Sequence, residues 1–342
     1  MRRPLLTLVC LLFAGIAAAE SKPGVSGELA QAVLTEGPSG RSAASGPVVI
    51  MPAEVAPGSI LRAAASGGVV PSVMELHRDT HVLARAHRIG VRMTGATELG
   101  VFLMGIDSTV EPGMYVVRYL SAEGDQVLSR EIEITAREFR IEEISLDRRL
   151  TALRRDPDPV KTAQSRELTD LILSRDPQAR YHSGPLGWPM PEDSRRTSLY
   201  GDRRVFVYSD GSRARTVHAG LDLAAPSGTP VLSSGRGIVR MARDRIVTGK
   251  TVVIEHLPGV FSMYYHLDEL SVAEDTVVEQ GDPIGTVGAT GLATGPHLHW
   301  EVRVAGVAVS PVETTEHPLV ADLVPPGVFA EIEAENDADR AP

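Results

Sequence analysis

The sequence predicts a mainly β protein, in which a small β-sandwich and a short helical linker precede a larger strand-rich domain. Short apolar runs rich in β-branched residues, separated by turn residues, fill residues 47–140 and 185–315. Leucines at helical spacing fall between these two regions. At 342 residues, the chain is long enough for two domains that each bury a core.

Residues 1–19 have the pattern of a cleaved signal peptide. Arg2 and Arg3 precede an apolar run that is too short to span a bilayer, and alanines end the segment. An uncleaved N-terminal anchor is the alternative. Cys10, the single cysteine, lies in this run, so the mature chain would have no disulfide and no cysteine nucleophile. These features favour an exported protein of the bacterial periplasm or cell envelope.

The composition argues against two other classes of protein. The formal net charge is −10 at pH 7, and nucleic-acid phosphates repel such a chain, so no nucleic-acid partner is expected. Beyond the signal segment, no apolar run reaches the roughly 18 residues that a membrane-spanning helix needs. We therefore expect no stable membrane span after signal cleavage.

The N-terminal half divides into two predicted parts. Residues 20–46 are rich in Gly, Ser, Ala and Pro, which predicts a flexible lead-in. Residues 47–140 carry short strand patterns with turn signals between them, such as the Glu-Pro-Gly segment at 111–113. The segment 131–135 alternates charged and apolar residues, which is typical of a half-buried strand. Several short strands at this spacing predict a small β-sandwich.

Residues 141–184 are predicted to be a helical linker. Leucines recur at helical spacing there, and the segment 156–159, with its two prolines, divides the pattern into two helices. Residues 185–315 return to strand patterns with many glycines. Residues 316–342 are acidic and contain Ala and Pro, so we predict a tail that is largely disordered.

Histidines and a carboxylate are clustered in two short segments of the region 185–315. These are His218, Asp222, His297 and His299. Nitrogen and carboxylate oxygen suit Zn²⁺, and three protein ligands leave a fourth coordination position open for water, which is typical of a catalytic site. If residues 297–302 form a strand, His297, His299 and Glu301 share one face while the apolar side chains enter the core. The residues therefore predict a zinc hydrolase.

Five segments resemble, in order and spacing, the catalytic domain of the lysostaphin-type (LytM-type) zinc metallopeptidases. They are residues 200–204, 218–231, 265–267, 281–288 and 290–303. The resemblance extends over more than a third of the chain. It implies an antiparallel-sheet metallopeptidase domain in which His218, Asp222 and His299 bind Zn²⁺ and His266 and His297 are catalytic. None of these five positions is substituted, although Tyr200 and Trp300 stand where the family usually has phenylalanine.

The family cuts peptide bonds in bacterial peptidoglycan. The resemblance thus implies an exported zinc metalloendopeptidase that hydrolyses peptidoglycan crosslinks through a zinc-bound water assisted by two histidines. Its partners would be the peptide stems, because an aromatic fraction of 4% is low for a glycan-stacking platform. A histidine near its usual pKa of about 6.5 can accept the water's proton. No helical H-E-x-x-H motif offers a glutamate base instead.

Several alternatives stay open at this point. Either His266 or His297 could be the base, and Glu301 could orient a histidine or simply be solvated. His256 has a strand-like context, which favours a structural role. The alternative function is an autoinhibited or non-catalytic LytM-type regulator of a separate cell-wall hydrolase, in which the helical segment 145–174 would cover the groove.

Overall fold

A computed structural model describes residues 47–92 and 98–324. The expected signal peptide, the flexible lead-in and residues 325–342 of the expected tail lie outside the described residues. Within them the protein is mainly β, as the sequence predicts, and its sheets are almost entirely antiparallel. No helix in these two ranges is long and apolar enough to cross a membrane.

The N-terminal strands form two sheets that pack face to face. Their bounds are β1 (Val48–Ile50), β2 (Glu54–Val55), β3 (Ile60–Ser66), β4 (Val73–Arg78), β5 (His81–His87), β6 (Ile89–Arg92), β7 (Glu98–Gly105), β8 (Gly113–Leu120) and β9 (Gln126–Ile134). One sheet has the order β1-β3-β7-β6 and the other has the order β2-β9-β8-β4-β5. Leu61 and Phe102 of the first sheet are fully buried against Tyr119 and Ile132 of the second. The arrangement is a β-sandwich.

The segment that follows contains one strand and two helices. Their bounds are β10 (Ile141–Ser145), α1 (Arg148–Arg155) and α2 (Pro159–Leu173). Asp147 and Asp158 precede the helices, and each carboxylate accepts hydrogen bonds from backbone amides of the first turn. The break between the helices falls where the sequence predicts it. The strand was not predicted, so the helical linker expected over residues 141–184 begins with an extended segment.

The C-terminal strands build the largest sheet. Their bounds are β11 (Arg195–Ser198), β12 (Arg203–Val207), β13 (Arg213–Val217), β14 (Leu221–Ala224), β15 (Pro230–Leu232), β16 (Gly237–Arg243), β17 (Lys250–Leu257), β18 (Val260–Leu270), β19 (Val277–Val278), β20 (Pro283–Val287), β21 (His297–Val304) and β22 (Val307–Val309). The main order is β11-β14-β21-β18-β17-β16-β19, with β15, β20 and β22 alongside. Leu298, Trp300 and Val302 of β21 are fully buried on one face of this sheet. They anchor the strand whose opposite face carries the histidines.

A smaller sheet joins the linker to this domain. Strand β10 pairs in parallel with β12, and β12 pairs with β13 in an antiparallel hairpin. Helix α1 packs Leu150 into a cluster with Phe206 and Tyr208 of the hairpin region. Helix α2 packs Leu168 and Ile172 against the main sheet. The linker is therefore part of the folded C-terminal body.

The sandwich and the C-terminal domain share an apolar core. Leu103 of β7 belongs to the same buried cluster as Val304 and Val309. A Cβ on Gly105 would lie 2.8 Å from Cβ of Val307, so the β-strands approach closely there. The backbone amide of Ser310 donates a 2.7 Å hydrogen bond to the carbonyl of Gly58. The two domains consequently form one packed unit.

The end of the chain differs from the sequence prediction. A short helix, α3 (Pro311–Glu316), is followed by a 3₁₀ turn at Ala321–Leu323. Leu319, Val320 and Leu323 are buried in the shared core, so the tail predicted to start at residue 316 does not start there. The prediction was wrong for residues 316–324, because the acidic composition of the final residues hid a short apolar segment before them.

Candidate metal centre

His218, Asp222 and His299 converge on one point of the main sheet. Asp222 on β14 lies directly opposite His299 on β21, and side chains paired in this way lie on the same face. His218 precedes β14, and its Nε2 atom lies 3.1 Å from Oδ1 of Asp222 and 3.0 Å from Nδ1 of His299. The third separation, from Nδ1 of His299 to Oδ1 of Asp222, is 2.9 Å. All three residues are buried.

Hydrogen bonds fix which ring nitrogen of each histidine faces this point. Nδ1 of His218 donates to the carbonyl of Leu199 at 2.8 Å, so Nε2 carries the lone pair. In His299 the roles are reversed, since Nε2 contacts the Glu301 carboxylate at 3.2 Å and Nδ1 faces Asp222. Two imidazole lone pairs and one carboxylate oxygen therefore point at a common position once the metal-facing nitrogens are deprotonated.

This donor set fits Zn²⁺. Ligand bonds of about 2.0–2.1 Å in a tetrahedral site separate the donor atoms by roughly 3.3 Å. The observed separations of 2.9–3.1 Å are slightly shorter, so a small outward movement of His218, Asp222 and His299 admits the ion. Nitrogen and carboxylate oxygen are both ordinary zinc ligands, and three of them leave a fourth position open.

Electrostatics prepare the carboxylate for a cation. Burial alone would raise the pKa of Asp222, but the close contacts of its carboxylate with the His218 and His299 rings outweigh burial and hold that pKa well below its usual value. Arg204 also donates to Oδ2, the oxygen of Asp222 that faces away from the histidines. Asp222 is thus ionised and oriented across the physiological pH range.

His299 and Glu301 form a coupled pair beside the carboxylate. Burial would lower the pKa of His299, but the hydrogen bonds to Asp222 and Glu301 raise it to about 9. For Glu301, burial raises the pKa, and the charge of Arg303 together with the bond to His299 lowers it to about 2. Without a metal His299 is therefore protonated at neutral pH, and metal binding must release that proton.

His266 and His297 form a second pair next to the first three residues. Their ring centroids are 4.8 Å apart, and Nε2 of His297 lies 3.8 Å from Oδ1 of Asp222. Nδ1 of His266 donates to the carbonyl of Thr290, and Nδ1 of His297 donates to the carbonyl of Gly295, each at 2.8 Å. Both Nε2 atoms are consequently left to act as proton acceptors.

The backbone of His266 is strained. Its φ angle is +63°, a left-handed conformation that costs a non-glycine residue of order 1 kcal/mol. A 2.9 Å hydrogen bond from its amide to the carbonyl of Thr248 helps hold that conformation. Burial, with the nearby His297 and His299, lowers the pKa of His266 to about 3 and keeps the ring neutral. Strain at a buried histidine is a feature of functional positions.

A groove with a cavity of about 330 Å³ opens over the five residues. Strand β12 contributes Arg204 and Phe206 to its wall, and the loop before β21 contributes Leu292. Strand β10 and helix α1 add Ile144 and Arg154. The segment expected to cover the groove therefore lines one side of it.

Burial decides the alternatives that the sequence leaves open for Glu301 and His256. Glu301 is only 3% exposed and contacts His299, so the solvated alternative is wrong. His256 is fully buried on β17, away from the groove lining. Its ring bonds to the carbonyl of Arg236 at 2.8 Å and to the hydroxyl of Ser262 at 2.7 Å, which agrees with a structural role.

Sequence reasoning missed three residues that support the site. Arg204 bonds to Asp222, Thr290 holds His266 through its carbonyl, and the Tyr265 ring stacks on His299 with centroids 5.1 Å apart. Each of the three lies inside a segment that carries the family resemblance. Their proximity to the site depends on strand pairing and loop conformation, which the spacing of residues does not reveal.

Residues 216–311 match the family model described as Peptidase family M23. This segment is a peptidase family M23 domain. The match includes all five candidate residues of the M23 domain, and it confirms the resemblance to lysostaphin-type metallopeptidases.

Two curated relatives are similar to part of the chain. The DD-carboxypeptidase/endopeptidase Mpg of Neisseria meningitidis serogroup B is 46% identical over 96 residues, which are 28% of this chain and 22% of Mpg. The peptidoglycan DD-endopeptidase ShyA of Vibrio cholerae is 43% identical over 123 residues, or 36% of this chain and 28% of ShyA. The chain thus spans less than a third of the length of either relative.

A solved structure is also similar to this chain. It is described as a peptidase M23 from Pseudomonas aeruginosa, with 24% sequence identity and a TM-score of 0.47. The alignment covers 76% of this chain and 94% of the other.

Proposed function

We propose that the protein is an exported zinc metalloendopeptidase that hydrolyses peptide crosslinks of bacterial peptidoglycan. The observation that carries this proposal is the convergence of His218, Asp222 and His299 beside His266 and His297. The names of the two curated relatives support a wall substrate. The signal-peptide pattern of residues 1–19 supports export to the periplasm or cell envelope.

His218, Asp222 and His299 would hold the zinc ion. When bound there, zinc supplies a water whose pKa is lowered to about 7 and polarises the scissile carbonyl. The Leu199 carbonyl and the Glu301 carboxylate keep the two imidazoles in the correct tautomer.

His266 and His297 would move the protons. A neutral ring with its Nδ1–H bound to a carbonyl accepts the proton of the attacking water at Nε2. The same pair then donates hydrogen bonds to the oxyanion of the tetrahedral intermediate and returns a proton to the leaving amine. Both rings are held by backbone carbonyls, so they are in position before substrate binds.

The non-catalytic alternative is not favoured, because all five candidate residues are in place. Autoinhibition by the linker requires a test of its own, because β10 and α1 line the groove whether or not the site is catalytic. Removing residues 20–180 would be a poor test of it. Strand β10 pairs with β12 and helix α2 packs on the main sheet, so the truncation also removes structural support.

The experiment that tests the proposal separates metal binding from catalysis. Zinc content and cleavage of purified crosslinked muropeptide dimers are measured on the full chain. We expect His266→Ala and His297→Ala to retain about one zinc per chain and to cleave at least about 100-fold more slowly. Asp222→Ala should lose both properties, and the exposed His317→Ala serves as the control.

Full activity in the Asp222→Ala variant, or cleavage that resists a zinc chelator, would contradict the proposal. Zinc binding without cleavage of any peptide bond by the wild type would also contradict it. The masses of the released fragments identify the bond that is cut.

A further inference from the structure

Arg154 is a cation in the groove without a carboxylate partner among the described residues. It lies on α1, outside the M23 domain, and its side chain is half-buried. Its Nε atom donates to the hydroxyl of Tyr208 at 3.2 Å. Its guanidinium lies over the ring of Phe206, 4.1 Å from the centroid. These two contacts hold the guanidinium in place and leave its terminal nitrogens without a partner in the part of the chain that the structure describes.

The other charged side chains that line the groove are already paired. Arg204 contacts both Asp222 and Glu142. Glu301 contacts His299 and Arg303. Arg154 is therefore the charged group of the groove lining that is available for a ligand, and a planar guanidinium is suited to bind a carboxylate with two parallel hydrogen bonds.

The position of Arg154 determines how far from the scissile bond its guanidinium would contact a substrate. Arg204 and Phe206 occupy alternate positions on β12 and share its groove face. Alternate residues of a strand are about 7 Å apart, which is also the length of about two extended peptide residues. Because Arg204 contacts Asp222 and Arg154 lies on Phe206, Arg154 would meet a substrate group roughly two residues from the scissile bond.

We propose that Arg154 binds a free carboxylate of the substrate and makes the enzyme selective for peptides that carry one at this position. The inference rests on the proposed peptidase function and specifies its substrate class. Wall peptide stems with a free carboxylate near the crosslink are the expected substrates, and forms in which that carboxylate is an amide are disfavoured. Helix α1, which precedes the M23 domain in the chain, thus contributes to the substrate specificity of that domain.

Two synthetic crosslinked peptides test this assignment. They are identical except that one has a free carboxylate about two residues from the crosslink and the other has a carboxamide. For the wild type, we expect about a 10-fold preference for the carboxylate in kcat/KM with zinc, and in Kd by calorimetry with zinc removed. Arg154→Gln should abolish the preference by weakening only the carboxylate peptide. Arg154→Lys should keep part of it.

The neighbouring arginine provides a matched control. Arg155 is exposed and contacts Asp210 and Ser212 outside the groove, so Arg155→Gln should keep the full preference. Equal weakening of both peptides by Arg154→Gln would indicate a structural role and overturn the inference. A wild type without preference would overturn it too.

The two proposals fail in different ways. If the wild type cleaves both peptides equally well, the peptidase function stands and the role of Arg154 is wrong. If neither peptide is cleaved but the difference in Kd is present and depends on Arg154, the carboxylate site stands and the peptidase function is wrong. If neither peptide binds, the inference is wrong.

Discussion

The histidines of the M23 domain are each oriented by an oxygen acceptor. His218, His266 and His297 donate from Nδ1 to backbone carbonyls, which a substitution cannot easily remove. His299 instead contacts a side chain, the carboxylate of Glu301, through Nε2. The orientation of His299 is therefore the one that mutation can test directly.

Glu301→Gln should lower the affinity for zinc by about 10–100-fold while the protein remains folded. Glutamine has nearly the same shape, but it lacks the charge that would strengthen the His299 imidazole as a zinc ligand and that neutralises Arg303. Competition against a chromogenic chelator measures the affinity. Glu131→Gln, the same change on an exposed residue of β9, is the control. Equal zinc affinities in the two variants would show that Glu301 has no effect on the ligand.

The candidate metal ligands could be proposed from the sequence because their chemistry is visible in the residue types. The two-residue period of a strand places His297 and His299 on the same face. The spacing of the segments that resemble the family adds His218 and Asp222. Arg204 and Thr290 were not predictable in the same way. Arg204 reaches Asp222 because β12 crosses near β14, and Thr290 acts through its carbonyl, a group that every residue has.

His256 should make stability depend on pH. Burial and the nearby His182 lower its folded pKa to about 3, whereas an unfolded histidine has a pKa of about 6.5. Between these values only the unfolded chain binds the proton. The free energy of unfolding therefore falls as the pH decreases below about 6.5, by up to about 1.4 kcal/mol per pH unit, and this contribution is constant above that pH.

Urea unfolding of the wild type and His256→Gln between pH 7.5 and 5, in zinc-free buffer, measures this contribution. The variant should be less stable at pH 7.5, because the bonds to Arg236 and Ser262 are altered. The difference between the two proteins should shrink as the pH falls. A difference that is independent of pH would mean that His256 titrates alike in both states.

At the scale of elements, the loop between β20 and β21 orients the rings of His266 on β18 and His297 at the start of β21. Thr290 holds His266, and Gly295 holds His297. Gly291 has a φ of +73°, and a Cβ there would lie 2.4 Å from the backbone nitrogen of Gly249. The loop can approach the neighbouring turn only because both positions are glycine.

Gly291→Ala should reduce kcat by at least about 10-fold and leave zinc content near one per chain. The added methyl group must push Thr290 away from its place, whereas the three candidate metal ligands lie on other elements. Gly67→Ala is the matched control, since Gly67 in the sandwich has a similar φ of +74° and a Cβ at that position meets nothing within 4 Å. Equal kcat values for the two variants would contradict the role assigned to this loop.

Helices α1 and α2 were predictable from leucine spacing and the intervening prolines. Strand β10 was not, because its pattern Ile-Glu-Glu-Ile-Ser does not alternate strictly and its two isoleucines have the i, i+3 spacing of a helix. Its extended form depends on pairing with β12, a partner about 60 residues later in the chain. Strand β10 therefore reaches the groove through a contact that the local sequence does not encode.

At the scale of the whole molecule, the shared core predicts cooperative unfolding. The face of β7 that points away from the sandwich interior is buried against the M23 domain. The described body should accordingly unfold in one thermal transition. Leu103→Ala should lower the free energy of unfolding of that single transition by about 2–5 kcal/mol, because it opens a cavity between the domains.

Differential scanning calorimetry tests this expectation. Val82→Ala is the control, since Val82 is 47% exposed on β5 and its truncation creates no buried cavity. Two wild-type transitions, only one of which responds to Leu103→Ala, would show that the domains unfold independently.

Digestion of purified sacculi tests the central claim most directly. The full chain is incubated with sacculi as purified, after zinc removal by a chelator, and after zinc is restored, and mass spectrometry identifies the released muropeptides. We predict loss of crosslinked dimers in the first and third reactions and none in the second. Unchanged crosslinks in all three reactions, from a protein that binds one zinc per chain, would contradict the assignment of a peptidoglycan endopeptidase.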